Sequence, residues 1–276
     1  MGELELANGA VTLAAEETGT GPPVVLLHGL TATRRWVVHG SRRLERSGYR
    51  VVAYDARGHG ASSPAPWPDA YEYADLAADL AAVLDTCGIE RAALAGASMG
   101  CHTIVRFALD KPERVAALAL ITPAFEPALS YLEQAERLAR WDELSKALRR
   151  GGVEGFAAAY DSSKLPEHWR ATALRIIHQR LSEHRHLDAV ADALSVVPRS
   201  IPFASWDELA ALAVPTVVVA SRDEADPEHP LETGRRYAAA IPRARVVTEA
   251  PGKSPLAWQG ARLSQLIAEV AARGRA

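Results

Sequence analysis

Cysteine is scarce in this chain: there are 2, Cys87 and Cys101, in 276 residues. Two thiols make neither a disulfide framework nor a zinc site with its usual paired spacing, and they fit a reducing compartment. Charge of one sign is missing too, since 31 Lys and Arg stand against 34 Asp and Glu for a formal net charge of -3. A chain without a basic surplus is not expected on nucleic acid or anionic lipid. No apolar run is long enough to span a bilayer. The first ten residues carry Glu3 and Glu5 where a secretory signal would be basic and then apolar, and Leu6 stands where a myristoylation signal needs Ser or Thr. The expectation is a cytoplasmic protein whose partner is a small molecule, with no nucleic acid, membrane, metal or cofactor.

What is present has the balance of a globular protein, 48% hydrophobic and 24% charged, which excludes disordered, collagen-like and coiled-coil readings. Pro23 to Leu27 is a short apolar run that stops at His28-Gly29. Arg50 to Tyr54 runs into Asp55-Ala56-Arg57-Gly58-His59-Gly60, and Arg91 to Ala97 into Gly96-Ala97-Ser98-Met99-Gly100. Each reads as a buried strand ending in a glycine-rich turn. Between them, Tyr73 to Leu84 places Leu76, Leu80, Val83 and Leu84 on one helical face. Alternating strand and helix predicts an α/β fold with a parallel sheet covered on both sides.

Val115 to Ile121 is a fourth strand, after which 126–211 reads as consecutive amphipathic helices, an insertion. Its aromatics, among them Trp141, Phe156, Tyr160, Trp169 and Trp206, are candidates to line a pocket or to pack helices together. Strands resume at Val214 to Val219 and Ala244 to Thr248, and Arg262 to Ala272 closes the chain as a helix.

Gly96-Ala97-Ser98-Met99-Gly100 has the form GxSxG. Between a strand and a helix, such a turn exposes the serine hydroxyl above the sheet, and its glycines allow close approach of the neighbouring backbone. Taken in order, His28-Gly29-Leu30, the Asp55 to Gly60 turn and GxSxG resemble the α/β-hydrolase superfamily over nearly the whole chain. The likeness is greatest to the branch of small esterases, lactonases and carbon–carbon bond hydrolases. It implies an α/β-hydrolase core from 1–125 and 212–276, a mostly parallel sheet flanked by helices, with 126–211 inserted as a helical lid. It further implies that Ser98 is the nucleophile and that the N–H groups of Leu30 and Met99 form the oxyanion hole. The acid would follow the next core strand, where Asp226 before Pro227 fits first, ahead of Asp223 and Glu126. His28, Trp141 and Tyr160 are the candidate substrate-binding groups.

The pattern then breaks. The family's histidine is expected in the segment Ala250 to Pro255, where Lys253 stands instead, and no histidine follows His229. Only four of the 31 basic residues are Lys, so a lysine here is notable. Beside the acid, Lys253 would stay protonated, a poor base but a good anchor for a carboxylate or enolate. His229, three residues beyond Asp226, is an alternative base, but it sits in the loop of the acid rather than opposite it; His102 is expected to pack beneath the nucleophile and His59 to hold its turn. Three functions are therefore carried forward. The first is a cofactor-independent serine hydrolase of a small ester, lactone or related acyl compound, slowed by an incomplete triad. The others are a lyase or isomerase using Lys253, and a binding protein on a hydrolase scaffold.

Overall fold

The computed structural model describes residues 2–127, 129–222, 226 and 228–275. Eight strands form one sheet: β1 (Gly2–Asn8), β2 (Val11–Thr18), β3 (Pro23–Leu27), β4 (Arg50–Tyr54), β5 (Ala92–Ala97), β6 (Val115–Ile121), β7 (Thr216–Val219) and β8 (Ala244–Val247). Their order is β1-β2-β4-β3-β5-β6-β7-β8. β1 and β2 pair antiparallel with each other, and β2 with β4; every other pairing is parallel. This is the α/β-hydrolase architecture expected from the sequence, with six of its strands at the foreseen places. The β1–β2 hairpin was not foreseen. Its alternation leaves one face exposed, a weaker signal than the continuous apolar runs of the buried strands.

The helices are α1 (Arg43–Arg46), α2 (Tyr73–Thr86), α3 (Met99–Asp110), α4 (Tyr131–Ala159), α5 (Glu167–Leu181), α6 (Leu187–Val196), α7 (Leu231–Ala240) and α8 (Gly260–Arg273). Strand periodicity sorts the core into two layers. Val25, Leu27, Val52, Leu94, Leu118 and Val218 face α2, α3 and α7, where Leu80, Ile104, Phe107 and Tyr237 are buried. Their neighbours Val24, Leu26, Ala93, Ala95, Ala117 and Ala119 face α1 and α8, meeting Leu44, Leu263, Leu266 and Ile267. The alanines on this second face let α8 lie close to the strands.

Between β6 and β7 the chain forms α4, α5, α6 and short 3₁₀ turns, with no strand among the described residues. α4 is two helices joined at Gly152, whose φ of 58° and ψ of -147° break the helical path. This segment packs above the ends of β3, β4 and β5, where Leu30, Met99, Leu144, Leu148, Phe156 and Leu194 share a third apolar cluster. Among the described residues no helix is long and apolar enough to cross a membrane.

Candidate active site

Ser98 joins β5 to α3 with φ 48° and ψ -109°, left-handed backbone that a non-glycine residue holds only under strain, at a cost of about 1–3 kcal/mol. The flanking glycines make the turn possible. A Cβ on Gly96 would lie 2.2 Å from the Gly100 carbonyl oxygen, and one on Gly100 would lie 2.4 Å from that of Leu27. The Ser98 N–H donates to Ile121 O at 2.9 Å, and the Gly100 N–H to His28 O at 3.0 Å. Met99 opens α3, so its N–H has no intrahelical acceptor and carries the positive end of the helix dipole.

Above the turn lies a cavity of about 630 Å³. Its floor includes Leu30, Ser98, Met99 and His102, and its roof is built from α4 and α5, with Trp141, Leu144, Phe156, Tyr160, Ile177 and Arg180. The loop after β7 supplies Asp226, Glu228 and His229.

His229 lies 2.9 Å through Nε2 from Ser98 Oγ and 2.7 Å through Nδ1 from Asp226 Oδ1. The imidazole and carboxylate side chains are 17% and 23% exposed, so the pair is sheltered but reachable from the cavity. Burial opposes the imidazolium, but the Asp226 charge and hydrogen bond, helped by Glu228, prevail and raise the His229 pKa. Burial likewise opposes the Asp226 carboxylate, yet His229 and the Arg180 charge hold its pKa below the usual value. A carboxylate acceptor at Nδ1 places a proton there and leaves the Nε2 lone pair for the serine hydroxyl, the arrangement in which serine is activated by a general base.

The other candidates fall in different places. Lys253 is exposed, in a turn closed by its N–H on Ala250 O at 3.1 Å with Gly252 at φ 74°. The Asp226–Lys253 pair anticipated from the sequence does not form, because Asp226 is taken by a histidine of its own loop. Glu126 accepts from Thr233 Oγ1 at 2.6 Å and from Arg236 at 2.8 Å, which turns it toward α7. Asp223 and Pro227 lie outside the described residues. Trp141 and Tyr160 line the cavity; the Trp141 Nε1–H is buried without a partner among the described residues, and burial, with the charges of Asp226 and Glu228, pushes the Tyr160 phenol up to about 12. His28 lies behind the Gly29–Thr31 loop rather than on the cavity wall, buried with its Nε2 taken by the Ala56 N–H at 2.9 Å.

That loop is held in an unusual way. The carbonyls of three consecutive residues each face an imidazole nitrogen: Gly29 faces His28 Nδ1 at 2.8 Å, Leu30 faces His59 Nε2 at 2.7 Å, and Thr31 faces His184 Nε2 at 3.3 Å. The rings form a row, with centroids 5.2 Å apart for His28–His59 and 5.4 Å for His59–His184. Burial, reinforced by the neighbouring ring, lowers His28 and His184 to about 3, and burial lowers His59 as well; a neutral His59 donates to only one of the Leu30 and Arg57 carbonyls that face its two nitrogens.

Sequence reasoning overlooked Arg137 and Arg180, two arginines of the cavity wall, because a cation on an amphipathic helix normally reads as solvated. Arg180 lies over the Trp36 ring at 5.2 Å, with Nε buried and without a partner among the described residues. Among the described residues no group of three or more His, Cys, Asp or Glu is placed to hold a metal ion.

The sequence profile of the alpha/beta hydrolase fold family matches residues 22–261. A 2-hydroxy-6-oxononadienedioate/2-hydroxy-6-oxononatrienedioate hydrolase of Pseudomonas putida is 33% identical over 256 residues, 87% of this chain and 82% of that one. A thermophilic esterase from Thermogutta terrifontis has a similar structure, with a TM-score of 0.80 and 26% identity over 100% of both chains. The enol-lactonase of Burkholderia xenovorans LB400 shares the fold, with a TM-score of 0.78 and 22% identity over 97% of this chain and 99% of that one.

Proposed function

The chain belongs to the alpha/beta hydrolase fold family, and from that premise we propose that it is a serine hydrolase of a small ester, lactone or related acyl compound. In this reading Ser98 is the nucleophile, His229 the general base and Asp226 the group that orients and charges it. The observation that carries the proposal is the continuous chain of contacts from Asp226 through His229 to Ser98, at 2.7 and 2.9 Å. Lys253, outside the cavity, has no part in it.

The chemistry balances with these groups alone. Ser98 Oγ attacks the carbonyl carbon while its proton passes to His229 Nε2. The carbonyl oxygen becomes an oxyanion beside the Leu30 and Met99 N–H groups, preorganised donors of the kind that contribute most in a site shielded from water. Collapse expels the leaving group, which takes the proton from His229. Water then attacks the acyl-serine, giving its proton to His229, and Ser98 recovers it as the acid departs. Residues 126–211 serve as the lid, with the Trp141 and Tyr160 hydrogens available to polar atoms of the substrate.

A fluorophosphonate should label wild type at Ser98, read by intact and peptide mass spectrometry, and fail on Ser98→Ala. Labelling elsewhere, or none, would remove the proposal. The raised His229 pKa adds a pH signature, since the base works only when neutral. With p-nitrophenyl acetate, kcat/KM should rise with pH through a midpoint above 6.5, and Asp226→Asn, which removes the charge that lifts the imidazole, should move that midpoint down. A midpoint that stays put in the variant would contradict the assignment.

A further inference from the structure

The buried residues behind Ser98 leave one proton without an acceptor. His102 follows Ser98 by one turn of α3, its N–H donating to Ser98 O at 3.1 Å. Two backbone N–H groups, of Ala124 and Phe125, donate to its Nε2, each at 3.1 Å. A nitrogen that receives two donors carries no hydrogen, so the proton of the neutral ring is on Nδ1. Burial, then the charges of Arg137 and His229, hold the His102 pKa well below its ordinary value, so a second proton is not added. His102 Nδ1–H therefore donates to Tyr73 Oη at 2.9 Å. Tyr73 is 4% exposed and lines the cavity, and among the described residues its own hydroxyl hydrogen has no acceptor. Burial keeps the phenol protonated.

A cation lining the same cavity, whose charge acts on the Tyr73 phenol, is also unsatisfied among the described residues. Arg137, half-buried on α4, lines the same cavity and has no hydrogen bond or ion pair among the described residues. The nearby acids are mostly engaged elsewhere: Glu126 with Arg236, Glu228 with Arg140 at 2.5 Å, Asp226 with His229, and Glu133 in the cap of its own helix. Glu136, on the same stretch of α4, is exposed. A hydroxyl donor and a cation facing one cavity, both without a protein acceptor, match a planar anion that takes one hydrogen bond from each.

We propose that Tyr73 and Arg137 form a subsite for a carboxylate of the substrate, close to Ser98 on the His102 side. The proposal rests on the hydrolase reading and narrows it to acyl compounds that carry a second, ionised acid group. Its test compares the mono-p-nitrophenyl esters of succinate and glutarate with p-nitrophenyl butyrate and valerate, which share the leaving group but lack the charge. Wild type should favour the carboxylated esters in kcat/KM. Tyr73→Phe and Arg137→Met should each reduce that preference by about 10- to 100-fold, the usual effect of losing one charge-assisted hydrogen bond. Should Tyr73→Phe fold poorly once His102 Nδ1–H loses its acceptor, Arg137→Met, on an outer helix, decides alone. A wild-type preference at or below unity, or one that survives Arg137→Met, overturns the subsite and leaves the hydrolase reading standing. No turnover of any of the four esters, with no labelling of Ser98, overturns both.

Discussion

His229→Ala is expected to lower kcat/KM for p-nitrophenyl acetate by about 10²- to 10⁴-fold, the range typical of a lost general base. The imidazole is the sole side chain hydrogen-bonded to Ser98 Oγ among the described residues. Lys253→Ala, made at an exposed turn, should leave the rate essentially unchanged. The pair of variants separates two assignments that the sequence held open. A comparable loss in Lys253→Ala, with His229→Ala active, would exclude the contact chain as the working site.

The second large effect concerns stability. Asp79→Ala should cost up to about 3–5 kcal/mol, because it leaves the buried Arg57 cation with only the more exposed Asp75 carboxylate, 3.4 Å away. The Arg57 guanidinium reaches Asp79 with Nε at 2.7 Å and Nη2 at 2.8 Å, and the two side chains are 7% and 1% exposed. Arg57 also donates to Ala70 O at 2.9 Å, and Asn8 Nδ2 donates to Asp79 Oδ1 at 2.8 Å, so the pair links the β1 edge, the turn after β4 and α2. Such a loss is a large share of the roughly 5–15 kcal/mol that holds a domain folded. Replacing both partners by apolar residues of similar volume should recover much of it, since removing the two charges together leaves none uncompensated. Urea denaturation of the single and double variants measures both quantities. A loss below about 1 kcal/mol in Asp79→Ala would show that solvent reaches Arg57 after all.

The parallel sheet and the serine turn were legible because they depend on local sequence. Short apolar runs such as Pro23–Leu27 and Val115–Ile121 are buried on both faces, and a serine between two glycines leaves few alternatives at a strand-to-helix junction. The histidine that meets Ser98 was harder to find. Three residues separate Asp226 from His229, and whether such a pair meets depends on how the loop bends before Pro230 opens α7. No periodicity reports that bend. Family analogy pointed to the Lys253 turn, while the chain supplies the imidazole from the loop after β7 instead. His28 was misplaced for a related reason: proximity in sequence to Leu30 does not say which side of the loop its ring occupies. Tyr73 was unreadable as a functional group, because its free proton follows from the hydrogen bonds of His102 to Ala124 and Phe125, residues far away in the chain.

The row of rings behind Gly29, Leu30 and Thr31 bears on what a substrate finds on arrival. The peptide planes carrying the Gly29 and Thr31 carbonyls can turn over only by pulling those oxygens away from the His28 Nδ1–H and His184 Nε2–H that face them. The third ring comes from the corner between α5 and α6, which is itself stitched down: the Gly60 N–H donates to His184 Nδ1 at 2.8 Å and the Arg185 N–H to Gly60 O at 2.9 Å. Any swing of the roof that preserves this corner leaves the loop undisturbed. In the hydrolase reading proposed above, access and alignment are thereby separated: the roof helices part to admit a ligand while the dipoles assigned to its developing charge keep one fixed orientation.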